Sequence, residues 1–145
     1  MSELAIHVHV DNPSVYVCRI LLKAQKAGMR AAVLFDDAQA MKVFDDFAWS
    51  VDSESFIPHA VAGTAGAVRG AALLSEKQAD LVGADLLVLC CKRPRADIAA
   101  ILKNFPKVID IVGLSEESLN EGRARFVAYK KAGITPVVHD RAASR

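Results

Sequence analysis

Hydrophobic residues along this chain follow two alternating rhythms. From Leu4 to Val10 they take every second position (Leu4, Ile6, Val8 and Val10), the period of a strand with one buried face. Asp11-Asn12-Pro13-Ser14 interrupts that rhythm with residues that stop a strand and cap a helix. Val17, Ile20, Leu21, Ala24 and Ala27 then recur at helical spacing until Gly28, which predicts a first helix. Ala31 to Phe35 is continuously apolar, as expected of a strand covered on both faces. Asp36 and Asp37 place negative charge at the start of a second helix through about Ala48, with Ala40, Met41, Phe44 and Phe47 turned inward.

The middle of the chain is less regular. Trp49 to Pro58 mixes polar and aromatic residues, and Val61 to Gly70 carries three glycines. Ala71 to Leu74 reads as a short strand and Ser75 to Ala84 as a loop. Leu86 to Cys90 is the clearest buried strand, followed by a short helix over 96–104 and a strand from Lys107 to Val112. Ser115 caps a last helix that carries Glu116 and Glu117 in its first turn and Lys130 and Lys131 in its last. Gly133 follows at the C-cap position, so both ends suit the helix dipole. Pro136 to His139 forms a final edge strand, and no internal repeat is present. Strands alternating with helices predict βαβ units, hence a mostly parallel sheet with helices on both faces.

The composition fits one domain spanning 1–145. A chain of 145 residues and 15.6 kDa hides roughly 70% of its extended-chain surface on folding. With 52% hydrophobic residues and a mean hydropathy of +0.23, it is too apolar for a disordered protein. The longest pure apolar stretch, Leu86 to Cys91, is strand-sized, so no membrane span is expected. Met1 to Leu4 lacks the start of a secretory signal, and three cysteines form no disulfide framework, which predicts a cytoplasmic protein. The net charge of +1 argues against a protein built mainly to grip phosphate backbones. The charge is unevenly spread: residues 1–60 carry −3, and residues 61–114 and 115–145 carry +2 each. An anionic partner should therefore meet the C-terminal half.

Little in the sequence supports catalysis. His7 and His9, two apart on a strand, would share one side and could grip a metal with Asp11, but nothing nearby completes such a shell, so they read as ordinary strand histidines. Gly63 to Gly70 lacks the Gly-Lys-Ser/Thr ending of a P-loop and the G-x-G-x-x-G spacing, and reads as a loop. The turn after the first strand has no glycine to let backbone approach a pyrophosphate. Cys90 and Cys91 sit beside Lys92 and Arg93 without a histidine close in sequence, and read as structural thiols. The competing reading is a small-molecule or nucleotide-binding α/β enzyme that uses the strand C-terminal edge near Asp11 and Cys91.

Two segments look like binding surfaces. The first, Trp49 to His59, places Trp49, Phe56, Ile57 and Pro58 in a stretch too polar for a core strand, and aromatics of this kind anchor interfaces. The second is the end of the last helix, RARFVAYKK from Arg123 to Lys131. Arg123, Phe126 and Lys130 lie at i, i+3 and i+7, so cations and an apolar group share a stripe. Such a stripe suits an acidic peptide with an aromatic end.

These segments carry a family resemblance. Trp49, then ESFIPH from Glu54 to His59 and Ala62-Gly63, together with RARFVAYKKAG from Arg123 to Gly133, resemble the chi subunit of bacterial DNA polymerase III holoenzyme in order and spacing over nearly the whole chain. The resemblance implies a Rossmann-like three-layer α/β fold without a nucleotide-binding loop. It implies a non-catalytic clamp-loader accessory protein in DNA replication and repair, with no cofactor, metal or sequence-specific nucleic acid. Two partners follow from it: the psi subunit, and the acidic C-terminal tail of single-stranded DNA-binding protein, which ends in Ile-Pro-Phe. Carried over by position, Trp49, Phe56, Ile57 and Pro58 fall in the psi-binding region, a surface that a DNA-repair helicase could share. Arg123, Phe126, Val127, Tyr129, Lys130 and Lys131 fall in the tail-binding region. Val127 stands where well-known members carry a base, Phe126 lacks a phenolic hydroxyl, and Ser75 to Ala84 lacks the basic cluster of some relatives.

Overall fold

The N-terminal alternation becomes a strand, β1 (Glu3–Val10), in a computed structural model that describes residues 3–50, 59–62 and 72–142. Helix α1 (Pro13–Lys26) follows. Its cap is Asn12, whose side chain accepts the Val15 N–H at 3.3 Å, and Pro13 occupies the first turn, where no donor is needed. Strand β2 (Ala31–Phe35) leads into helix α2 (Ala38–Ser50), where Asp37 accepts the Ala40 N–H at 2.8 Å. The remaining elements are β3 (His59–Val61), β4 (Ala72–Ser75), β5 (Leu86–Cys90), α3 (Ile98–Asn104), β6 (Lys107–Gly113), α4 (Glu116–Lys131) and β7 (Val137–Asp140). Ser115 caps α4 by accepting the Ser118 N–H at 3.0 Å, and Gly133 turns the chain out of it at φ +82°.

Among the described residues seven strands form one sheet in the order β3-β4-β2-β5-β6-β1-β7, and every described pair is parallel. Alternate side chains build a core on each face. Val33, Phe35, Val88 and Ile109 pack with Val17 and Leu21 of α1 and Phe44 and Ala48 of α2. On the other face Leu34, Leu87, Leu89 and Val108 pack with Ile98 and Ile101 of α3, with Phe105, and with Tyr129 of α4. Val33, Leu34, Leu87 and Val88 have essentially no exposed surface, which explains why β2 and β5 read as unbroken apolar runs. Each such side chain contributes roughly 1.5–3 kcal/mol by burial. β7 is the outermost strand at one edge, with Val137 and Val138 about half exposed.

Several expectations are corrected. Trp49 does not open the irregular middle but belongs to α2, which runs on to Ser50. The loop expected from Ser75 to Ala84 contains a 3-10 turn at Gln78–Leu81, pinned by the Ser75 hydroxyl donating to Asp80 at 2.8 Å. The short strand β3 was not predicted, and α3 begins at Ile98, not 96; Asp97 stands at its N-cap, with its side chain held by Arg95 at 2.8 and 3.1 Å and making no capping bond. His7 and His9 do not share a side. The β1–β6 register shifts between His7 and Val10, and His9 takes φ +58°, which turns its side chain across the sheet. His7 meets the Tyr16 hydroxyl and ring on the α1 side, whereas His9 reaches Asp140 at 2.8 Å and joins a groove beside α4.

Candidate protein-docking site

α4 carries almost no apolar inner face. Its buried residues are Gly122, Arg125 and Tyr129, at i, i+3 and i+7. A Cβ on Gly122 would lie 2.8 and 2.9 Å from the two methyls of Val112, so glycine lets the helix settle directly onto β6. Arg125 and Tyr129 then converge on Asp110 of β6. The guanidinium donates to both carboxylate oxygens at 3.0–3.2 Å, and the Tyr129 hydroxyl donates at 2.6 Å. Arg125 also donates to the carbonyls of Lys92 at 2.9 Å and Ile111 at 3.1 Å. Burial opposes the Arg125 charge, yet Asp110 outweighs it and holds the guanidinium above its ordinary range. Burial, reinforced by the Asp110 charge, likewise pushes the Tyr129 phenol up. Tyr129, expected beside the tail-binding residues, is therefore a core residue with 2% exposure, and its contribution is to fix the helix.

One residue along, a second stripe faces outward. Arg123, Phe126 and Lys130 are exposed, rotated by about 100° from the buried set. Between this stripe and the sheet edge lies a groove of about 490 Å³. Ile6 and Val8 of β1 and Val112 of β6 form its floor, and Phe126 and Val127 of α4 face Val138 of β7 across it. Phe126 is 38% exposed and Val127 49%, so both apolar groups are presented to solvent at the rim. Arg123 lines the groove with its guanidinium tied only loosely, to Asn120 at 3.0 Å on the surface. Lys130 and Lys131 do not line it; they stand exposed in the last turn, Lys130 about 10 Å along the axis from Arg123. The structure thus brings Arg123, Phe126 and Val127 together around one hollow and leaves the two lysines as charge beyond its end.

Trp49 and His59, at the described ends of the other segment, lie by the opposite edge of the sheet. Trp49 is 55% exposed near the end of α2, and its ring rests on that of His59 with centroids 4.4 Å apart. His59 is buried in β3, with its imidazole 3.1 Å from the Asp45 carboxylate. The histidine of the ESFIPH segment therefore props the tryptophan outward. Phe56, Ile57 and Pro58 lie outside the described residues, as do Gly63 to Gly70. On the same helix Val43 is 60% exposed.

The strand C-terminal edge, where an enzyme would work, offers less. Burial pushes the Cys91 thiol up to about 12, and burial pushes Cys90 up as well, so both stay protonated and poorly nucleophilic near neutrality. In the hollow beside them Asp36 accepts the Lys92 N–H at 2.7 Å, Asp37 caps α2 and Asp97 is held by Arg95. These carboxylates are already engaged. Among the described residues no three His, Cys, Asp or Glu side chains are grouped to hold a metal, and no helix is long and apolar enough to cross a membrane.

Fold and site together define an α/β protein whose distinctive surfaces are a cation-rimmed apolar groove and an exposed tryptophan. The chain belongs to the family described as DNA polymerase III chi subunit, HolC, which it matches over residues 1–137. It is similar to the DNA polymerase III subunit chi of Escherichia coli (strain K12), 26% identical over 121 residues that cover 81% of this chain and 78% of the relative. Members of this family are non-catalytic accessory subunits of DNA polymerase III, which places the chain in DNA replication.

Proposed function

We propose that this chain is an adaptor that holds the acidic C-terminal tail of single-stranded DNA-binding protein in the α4–β7 groove and meets the psi subunit through the Trp49 surface. The observation that carries the reading is the groove itself: an apolar hollow with Arg123 on its rim and Lys130 and Lys131 just beyond. A peptide ending in Ile-Pro-Phe presents an apolar ring for the slot between Phe126, Val127 and Val138. Its terminal carboxylate and upstream acids present charge to Arg123 and the two lysines. Val127, where relatives carry a base, widens the apolar wall, and charge is left to the helix end. Trp49, held out by His59 and accompanied on α2 by Val43, supplies an aromatic anchor for a second, independent partner.

Titration calorimetry with an acidic peptide ending in Ile-Pro-Phe tests the reading. A small, exposed site predicts a micromolar Kd, about −7 to −8 kcal/mol, that weakens with salt. Arg123→Ala should cost about 1–2 kcal/mol of that affinity, the loss of one charge-assisted bond. An unchanged affinity in this variant would remove the peptide from the groove.

A further inference from the structure

A second cleft lies on the other face of the same sheet edge. It runs between α1 and the strands β6, β1 and β7, with a volume of about 600 Å³. Tyr16, Arg19 and Lys23 line its helical wall at i, i+3 and i+7. Lys107 stands at the start of β6, and Arg141 follows the end of β7. Among the described residues none of these four cations makes an ion pair with a carboxylate, and Glu3 is the one acid lining the cleft. Arg141 lies over the Tyr16 ring at 5.6 Å, and His7 meets both Tyr16 and His139, with centroids 5.6 and 5.1 Å apart, so three rings cluster at the Arg141 end of the cleft. The positive potential acts on its neighbours. His7 is held down at about 4, first by burial and then by His139, Arg141 and Lys107.

We propose that this cleft is a sequence-independent contact for the phosphate backbone of single-stranded nucleic acid. The cations span from the start of β6, past two turns of α1, to the end of β7, an extended arrangement that follows a chain better than it encloses one small anion. The rings gathered at the Arg141 end suit an unstacked base. The overall charge of +1 does not oppose this: two of the four cations come from the acid-rich residues 1–60, but of that region's acids only Glu3 is among the cleft's described lining residues. The cleft and the α4 groove lie on opposite faces of β1 and β7, so both could be filled at once.

Fluorescence anisotropy of a labelled fifteen-residue oligothymidylate, with the full chain at low salt, tests the proposal. Saturable binding is expected, with a slope of log K against log salt of about −2 to −3 for three or four phosphates contacted. Arg19→Glu with Lys23→Glu should weaken binding at least tenfold, and Arg141→Ala should do so more modestly. Lys103→Glu, on α3 at the other face, should leave it unchanged. All of these side chains are exposed, and matching urea midpoints would show that the variants fold. Absence of binding at low salt would overturn the proposal. So would retention of binding in the α1 variant, or tighter binding of free ADP than of the oligonucleotide.

Discussion

Arginines two apart on α4 should behave in opposite ways, and the clearest test starts from the partner of the buried one. Asp110→Asn keeps the shape of the side chain and removes its charge. Arg125 would then retain two neutral carbonyls as partners, at 2.9 and 3.1 Å, in a site where its side chain is 5% exposed. A guanidinium cannot escape by losing its proton, so the charge stays buried and uncancelled. Removing one partner of such a pair costs about 3–5 kcal/mol. Against a typical total of about 5–15 kcal/mol this is a large fraction, and it corresponds to a fall in Tm of roughly 10–20 °C. Tyr129→Phe should cost less, about 1–2 kcal/mol, because Arg125 still compensates Asp110. Replacing the pair together, Asp110→Leu with Arg125→Met, should recover most of the loss. Urea unfolding followed by circular dichroism measures all three. An Asp110→Asn variant within about 1 kcal/mol of wild type would refute the claim that this pair seats the helix.

Three further outcomes follow from particular contacts. Gly122→Ala sets a methyl against Val112, where overpacking of about 1–3 kcal/mol outweighs the roughly 1 kcal/mol gained in helix propensity; trimming Val112 to alanine in the same chain should relieve it, and urea midpoints report both. His7, at about 4 when folded, binds its proton more readily in the unfolded chain, so its contribution is full above pH 6.5 and is lost as pH falls towards 4. Solvent screening at this half-buried site reduces the effect to about 1–2 kcal/mol, read as the difference between wild type and His7→Gln across that window; parallel pH profiles would contradict it. Trp49→Ala should weaken capture of the psi subunit in surface plasmon resonance at least tenfold and leave tail-peptide affinity unaltered, and equal loss of both would indicate a folding defect.

Much of the fold was legible because its strands are buried on both sides. β2 and β5 read as apolar runs, and caps at Asn12 and Ser115 marked the starts of α1 and α4. The inner face of α4 was not legible, since its anchors are a glycine, an arginine and a tyrosine, which periodicity assigns to the surface. Arg125 stood in the quoted helix segment, but its partner Asp110 is 15 residues away and shows only as a lone acid inside the apolar run of β6. That misplaced acid was the one available signal. The opposed directions of His7 and His9 depend on a register shift that no local pattern announces. Arg123 and Phe126 were found by spacing. Val138 and Val8, which complete the groove, come from β7 and β1, two other parts of the chain, and needed the topology.

Chemical-shift mapping on the isotopically labelled chain, titrated with the acidic Ile-Pro-Phe peptide, tests the central assignment most directly. Perturbations confined to Arg123, Phe126, Val127, Val138 and Val8, with Trp49 silent, are the predicted result. Perturbations gathered around Trp49 and Val43, with the α4–β7 groove unmoved, would contradict it.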